Sequence, residues 1–221
     1  MKEKPIIFST PMVKAILEGR KTQTRRVIDK DISNQFDIET DGTVYAYINR
    51  DTGDSFKPVE VAPYHAGDIL WVRETFQMYP ASVILNSKVG NCPYKKIPKE
   101  KPDSYYIEYR ATSDKAFCGK WRSSLFMPKY AARLFLKVTS VRVERLRDIT
   151  DADAIAEGIY EVRHNGWFYC DPATTKYPNR SLAVKPKQAY MWLWDQINDK
   201  RGYAWISNPW VWVYEFMRVK K

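Results

Sequence analysis

Side chains from Trp210 to Phe216 alternate between aromatic and other residues, and this pattern limits the possible folds more than any other segment of the chain. The aromatic positions are Trp210, Trp212, Tyr214 and Phe216. Because successive side chains of a β-strand point to opposite faces, the segment predicts a strand with an aromatic stripe on one face. We interpret this stripe as a buried wall of a β-barrel rather than as a surface for stacking on bases.

The remaining regular elements indicate an α+β fold. Thr10-Pro11 predicts the start of a short helix that ends at Gly19, and Thr150 predicts the start of another that ends at Gly158. Residues 187–198 have the spacing of an amphipathic helix. Strands are expected over 21–28, 69–74, 104–110 and 132–144. The order of these elements predicts an α+β barrel rather than a doubly wound sheet.

We expect one domain, 1–221, that carries insertions. A single barrel domain often reaches the length of this chain, 221 residues. The segments 29–60, 77–125 and 160–185 are polar, irregular or rich in lysine, and we interpret them as insertions into the barrel.

Charge and apolar content narrow the class of protein. Lys and Arg number 36 against 26 Asp and Glu, which gives a net charge of +10. A basic protein of this kind attracts phosphate backbones, so nucleic acid or a modified nucleoside is the expected partner. No stretch approaches the roughly 18 apolar residues that span a bilayer, and the first residues lead into only a short apolar run. We therefore expect a cytoplasmic protein without a signal peptide and without a membrane partner.

The cysteines and histidines give no sign of a metal centre. Cys92, Cys118 and Cys170 are far apart and form no C-x-x-C pair. His65 and His164 are the only histidines, and neither has an identifiable partner. A tetrahedral zinc site would need ligands from scattered positions. We expect free thiols in a reducing compartment, no metal and no cofactor.

Three ordered blocks resemble the motifs of ASCH domains, especially those of phage and prophage members. The blocks are Gly19-Arg20-Lys21-Thr22-Gln23-Thr24-Arg25-Arg26, Gly67-Asp68-Ile69-Leu70-Trp71-Val72-Arg73-Glu74 and a third from Val141 to Ile159. The resemblance covers about residues 6–28, 66–76, 126–159 and 188–218. It implies a PUA-like/ASCH β-barrel with short flanking helices, a fold similar to the PUA RNA-binding barrel.

The first block departs from the common ASCH signature, G-x-K-x-x-E-x-R, because Thr24 stands at the Glu position. It is similar instead to the form found in small bacterial N4-acetylcytidine amidohydrolases. That resemblance implies Thr24 as nucleophile, Lys21 as base and Glu157 as proton donor.

Elementary chemistry is compatible with these three roles. A threonine hydroxyl attacks an amide carbonyl only when a base takes its proton. Lysine serves as that base when burial or nearby positive charge favours its neutral form, and arginines flank Lys21. Glu157 ends a short helix, where negative charge is disfavoured. In an ideal strand, however, Lys21 and Thr24 would face opposite sides, so Lys21 must still belong to the turn after Gly19.

Other charged residues are candidates for contacts with nucleic acid or substrate. They are Arg20, Arg25, Arg26, Arg73, Glu74, Lys129 and Arg133. Two further functions stay open beside the amidohydrolase. One is a non-catalytic module that reads an RNA base or a modified DNA base in the barrel pocket. The other is a ribonuclease that uses lysine and glutamate for acid–base catalysis.

Overall fold

The computed structural model describes residues 2–81, 94–163, 167–170, 183 and 185–221, and these form an α+β structure. The strands are β1 (Glu3–Ile7), β2 (Gln23–Val27), β3 (Phe36–Ile38), β4 (Val44–Ile48), β5 (Ser55–Phe56), β6 (Ile69–Arg73), β7 (Phe76–Pro80), β8 (Tyr105–Tyr109), β9 (Phe135–Arg145), β10 (Tyr160–Arg163), β11 (Trp167–Cys170) and β12 (Trp210–Val219). The α-helices are α1 (Thr10–Leu17), α2 (Lys30–Ser33), α3 (Asp151–Ala156) and α4 (Pro186–Asn198).

A five-stranded sheet forms the centre of the molecule, in the order β1-β6-β9-β12-β2. β1 pairs with β6 in parallel, and the other pairings are antiparallel. In the described part of the chain no pairing joins the edge strands β1 and β2, so the sheet is not closed into a barrel by backbone bonds. The two edges nevertheless approach each other, because Arg26 on β2 donates a 2.8 Å hydrogen bond from Nη2 to the Ile7 carbonyl on β1.

β12 is buried on both faces. Its aromatic side chains pack into the main hydrophobic core together with residues such as Ile6, Phe8 and Leu136. Val211 and Val213 point to the opposite face and join a second core. The aromatic stripe is therefore buried, as the alternating pattern predicted, although the sheet to which it belongs is not a closed barrel.

The second core lies between the valine face of β12 and the helices α3 and α4. The predicted capping box at the start of α3 is confirmed: Thr150 Oγ1 accepts from the Asp153 backbone N–H, and the Asp153 carboxylate accepts from the Thr150 N–H. The predicted amphipathic helix is α4, whose buried side includes Tyr190, Leu193 and Trp194. These two helices form the layer that covers the sheet next to β2.

The expected insertions form small sheets of their own. The segment 29–60 contains α2 and the sheet β3-β4-β5, 77–125 contains the last residues of β7 and its partner β8, and 160–185 contains the pair β10-β11. The expected strand over 104–110 is β8. Cys118 is disulfide-bonded, so the expectation of a free thiol there is wrong. Spacing along the chain does not reveal which cysteines folding brings together. Cys92 and His164 lie outside the described residues.

Neither a membrane-spanning helix nor a metal-binding cluster is found among the residues that the structure describes. No helix there combines the length and the apolar character required to cross a membrane. No cluster of three or more His, Cys, Asp or Glu side chains there has the arrangement of a metal site.

Candidate functional site

The chain places Lys21 in the turn between α1 and β2. Gly19 ends α1 with a left-handed backbone, φ +75°, which glycine adopts without steric cost. The N–H groups of Arg20 and Lys21 then both donate to the Ala15 carbonyl, at 2.9 and 3.1 Å. β2 begins only at Gln23, two residues later than the predicted start. Lys21 therefore does not follow the alternation of the strand, and the expected conflict with Thr24 does not arise.

The Lys21 ammonium group is buried and fully hydrogen-bonded. The residue is 2% exposed. Its Nζ donates to the Gln23 carbonyl at 2.9 Å, the Glu157 carbonyl at 2.9 Å and Glu157 Oε2 at 2.7 Å. Burial lowers the pKa of Lys21 below its usual value, although the nearby Glu157 charge acts in the opposite direction. A lysine in such a place is closer to neutrality than one at the surface.

Glu157 lies at the end of α3 and contacts two cations. Oε2 accepts from Lys21, and Oε1 lies 3.3 Å from Arg25 Nη1. Gly158 follows with φ +104°, and a Cβ built on it would lie 3.2 Å from the Ala15 Cβ. The absence of a side chain at this position lets α3 end directly against the turn that carries Lys21. Glu157 therefore faces two cations, which the position at the end of a helix did not reveal.

Arg25 is the centre of a buried ionic network that the sequence did not reveal. Its side chain is fully buried, and its Nε donates to Glu144 Oε1 at 2.9 Å. Asp153 Oδ2 lies 3.4 Å from Nη2, in addition to the contact with Glu157. Arg142 extends the network by donating to Glu144 and Asp153 at 3.1 and 3.0 Å. Arg25, a candidate for contacts with nucleic acid or substrate, thus also holds β2, β9 and α3 together.

A cavity of about 200 Å³ opens beside Thr24 and Glu157. Its walls come from α1, β2, the end of α3, and α4 with the turn that follows: Met12, Thr24, Arg25, Arg26, Val27, Glu157, Tyr190, Leu193, Trp194, Ile197, Asn198 and Arg201. Among the described residues, neither the Thr24 hydroxyl nor the Tyr190 hydroxyl has a protein hydrogen-bond partner. Both groups are therefore available to a ligand.

The wall supplied by α4 was missed as a site, although its spacing contained a signal. Tyr190, Trp194 and Asn198 are four residues apart and share one helical face. Burial, together with the Glu157 charge, raises the pKa of Tyr190 well above its usual value, so its hydroxyl keeps its proton. The periodicity identified a buried face but not the cavity against which that face lies.

Of the remaining candidates, Arg26 lines the cavity, while Arg20 lies beside the site. Arg26 stacks on the Phe8 ring at 5.2 Å, and burial lowers its pKa. Arg20 pairs with Glu18 and donates to the Gly158 carbonyl at 2.9 Å. This second contact supports the turn that follows Glu157.

Four further candidates do not line the cavity. Arg133 donates to both carboxylate oxygens of Glu74 at 2.9 Å. Arg73 binds the backbone carbonyls of Ser124 and Leu125. Lys129 pairs with Glu3 at 2.5 Å. These contacts fasten the insertion 77–125 and the first strand to the sheet, and they do not contribute to the cavity.

Comparison with known proteins gives no relative for this chain. No protein-family model, no curated protein and no solved structure matches this chain.

Proposed function

We propose that this protein is an amidohydrolase that removes the acyl group from an N4-acylated cytidine or a related modified base. One observation carries the proposal: Thr24 and Glu157 line the same cavity, and Lys21 Nζ lies 2.7 Å from Glu157 Oε2. A hydroxyl nucleophile needs a base, and the leaving amine needs a proton donor. The resemblance to ASCH amidohydrolases assigns these roles to the same three residues.

The Lys21–Glu157 pair can supply both the base and the acid. Transfer of one proton from Nζ to Oε2 converts the ion pair into a neutral amine and a carboxylic acid without changing the net charge. Burial favours the neutral amine and is the cause of the lowered pKa of Lys21. The amine must then turn from Oε2 toward Thr24. Its bond to the Gln23 carbonyl keeps it beside the peptide unit that carries Thr24.

The reaction then proceeds in two steps. Thr24 Oγ1 attacks the acyl carbon as Lys21 takes its proton, and the bond from that carbon to the exocyclic nitrogen breaks as Glu157 protonates the nitrogen. This step leaves an acyl ester on Thr24 and releases cytidine. Water next attacks the ester and transfers one proton to the Glu157 carboxylate, while Lys21 returns its proton to the Thr24 oxygen. The products are cytidine and the free carboxylic acid, and the side chains return to their starting states.

Tyr190 provides a hydrogen-bond donor for the oxyanion that forms during attack. Its hydroxyl keeps its proton, has no protein partner among the described residues and belongs to the cavity wall. A donor already in place inside a water-poor site stabilises developing negative charge more than water does. Tyr190 is therefore the residue of α4 that the proposed chemistry uses.

The proposed family is the ASCH domain, with the five-stranded sheet as the counterpart of the PUA-like barrel. The contact between Arg26 and the Ile7 carbonyl supports this assignment, because it spans the gap between the two edge strands. The cavity lies next to β2, the strand that carries the second half of the first ASCH-like block.

Turnover of N4-acetylcytidine tests the proposal. We expect purified protein to release cytidine and acetate, and T24A to lose this activity. T22A is a matched control, because Thr22 is the neighbouring threonine but is exposed and does not line the cavity. Equal rates for T24A and T22A, or no release by the unmodified protein, would contradict the proposal.

A non-catalytic base reader is the second candidate, and one contact favours it. All three hydrogens of the Lys21 ammonium are bonded to acceptors, an arrangement typical of a lysine that holds structure together. A reader would bind the modified base in the same cavity without turnover, and T24A would bind it as the unmodified protein does. Among the described residues no contact favours the ribonuclease alternative.

A further inference from the structure

Arg201 lies where the cavity meets solvent. It is an exposed residue and also part of the cavity wall. Its guanidinium Nη1 donates to Asn198 Oδ1 at 3.2 Å, and the buried Asn198 side chain in turn donates to the Trp194 carbonyl at 3.3 Å. These bonds fix the direction of the arginine. An exposed arginine without such support would sample many rotamers.

The charged groups of the cavity are not balanced. Arg25 is neutralised by carboxylates of Glu144, Asp153 and Glu157. In contrast, neither Arg26 nor Arg201 has a carboxylate within 4.0 Å in the described part of the chain. The Glu157 charge acts on Arg26 from a greater distance, but neither guanidinium group forms an ion pair within the described residues, and an anionic ligand would supply such a partner.

The size of the cavity indicates which part of a ligand it encloses. A site that encloses a whole drug-sized molecule usually has about 300–1,000 Å³, whereas this cavity has about 200 Å³. A base fits such a space, while the sugar and any phosphate must lie at its open side. Arg201 is placed at that side.

We propose that the cavity takes a nucleotide unit rather than a free nucleoside, with Arg201 binding its phosphate. The inference rests on the proposed function for the identity of the base. A free nucleoside is neutral and gives neither Arg26 nor Arg201 an ion-pair partner. A phosphate offers the acceptor geometry that a guanidinium group matches with two hydrogen bonds. The phosphate can belong to a mononucleotide or to one unit of a nucleic acid strand.

Calorimetric titration of T24A tests this inference without interference from turnover. The ligands are N4-acetylcytidine, its 5′-monophosphate and a short RNA that contains one N4-acetylcytidine. We expect the monophosphate to bind about tenfold more tightly than the nucleoside. R201Q in the same background should abolish that preference. R218Q is the matched control, because Arg218 is exposed but does not line the cavity.

The ligand series also separates the two sources of phosphate. Tighter binding of the RNA than of the monophosphate identifies a nucleic acid strand, and the reverse order identifies a mononucleotide. Equal affinities for nucleoside and monophosphate, or a preference that survives R201Q, overturn the inference.

A turnover assay of the nucleoside with the unmodified protein separates a failure of this inference from a failure of the proposed function. Turnover without a phosphate preference overturns only the role of Arg201. A phosphate preference that depends on Arg201, without turnover of any of the ligands, contradicts the hydrolase and retains the phosphate contact.

Discussion

Lys21 and Glu157 bury opposite charges in direct contact, 136 positions apart in the chain. The residues are 2% and 3% exposed, so water compensates neither charge. Burial of a charge is costly unless the charge is paired and hydrogen-bonded. Removing one partner of the contact that the proposed chemistry uses would therefore leave an uncompensated buried charge.

Replacing Lys21 by methionine should destabilise the protein strongly. The change leaves Glu157 buried with only Arg25 as a cationic partner, at 3.3 Å, and we expect a loss of about 3 kcal/mol in the free energy of unfolding. Urea denaturation measures this loss. K30A, at an exposed lysine, should change the value by less than about 0.5 kcal/mol.

Pairing K21M with E157Q distinguishes loss of charge compensation from loss of packing. The double variant should recover part of the stability, because the uncompensated carboxylate is removed as well. If K21M were as stable as K30A, the loss of Lys21 would not leave a costly uncompensated charge on Glu157.

At the scale of elements, the end of α3 determines the geometry of the site. The capping box at Thr150 and Asp153 fixes the start of this helix, and Gly158 ends it against the turn that carries Lys21. Asp153 also accepts hydrogen bonds from Gln23 and Arg142, both at 3.0 Å. A helix of six residues is thus held at both ends by contacts with the sheet and with the turn that precedes β2.

G158A should cost more stability than the same change at a free glycine. Both Gly158 and Gly202 have a left-handed backbone, φ +104° and +80°, which costs an alanine about 1 kcal/mol. Only at Gly158 would the new Cβ meet neighbours, at 3.2 Å from the Ala15 Cβ and 3.4 Å from the Lys21 Cβ. We expect G158A to lose at least about 1 kcal/mol more than G202A in thermal or urea unfolding. Equal losses would show that the close approach has no energetic role.

Asp153 should contribute to stability in acid. Burial acts to raise the pKa of Asp153, but hydrogen bonds from Thr150 and Gln23, together with the Arg25 charge, outweigh it and lower the pKa to about 2. Since this folded value lies below the ordinary 3.8, the contribution is present above about pH 4 and is lost as the pH falls toward 2. Allowing for solvent screening, we expect about 1 kcal/mol.

D153N measures this contribution. The difference in unfolding free energy between the unmodified protein and D153N should shrink as the pH is lowered from about 4 to 2. A difference that stays constant over that range would contradict the role given to the carboxylate.

For the whole molecule, the sequence reveals individual helices and strands better than it reveals the contacts between residues that are distant in the chain. The alternation over residues 210–216 identified β12, and the capping box identified α3, because both signals lie within a few residues. The ends of elements were less accurate: β2 begins two residues later than predicted, because hydrogen bonds to the Ala15 carbonyl keep Lys21 in the turn.

The partners of the site residues could not be read from the sequence. Arg25 was a candidate for contacts with nucleic acid or substrate, but the sequence did not reveal that β2 places it against Glu144 and Asp153, more than 100 positions away. The cavity wall supplied by α4 and the nearby Arg201 were missed because their partners are also distant in the chain. A helical period shows which face of a helix is buried but not which residues that face covers. The resemblance to ASCH motifs grouped Lys21, Thr24 and Glu157; in the structure Lys21 contacts Glu157, and Thr24 lines the same cavity as Glu157.

The proposal that Lys21, Thr24 and Glu157 act as one catalytic unit is tested most directly by the rates of T24A, E157Q and the double variant. Cytidine release from N4-acetylcytidine is measured for each, with circular dichroism as the check on folding. Side chains that act as a unit show strongly non-additive losses. We predict that the double variant is no slower than the slower single variant. The proposal would be contradicted if the fold-losses of the two single variants multiplied in the double variant, or if T24A were as fast as the unmodified protein.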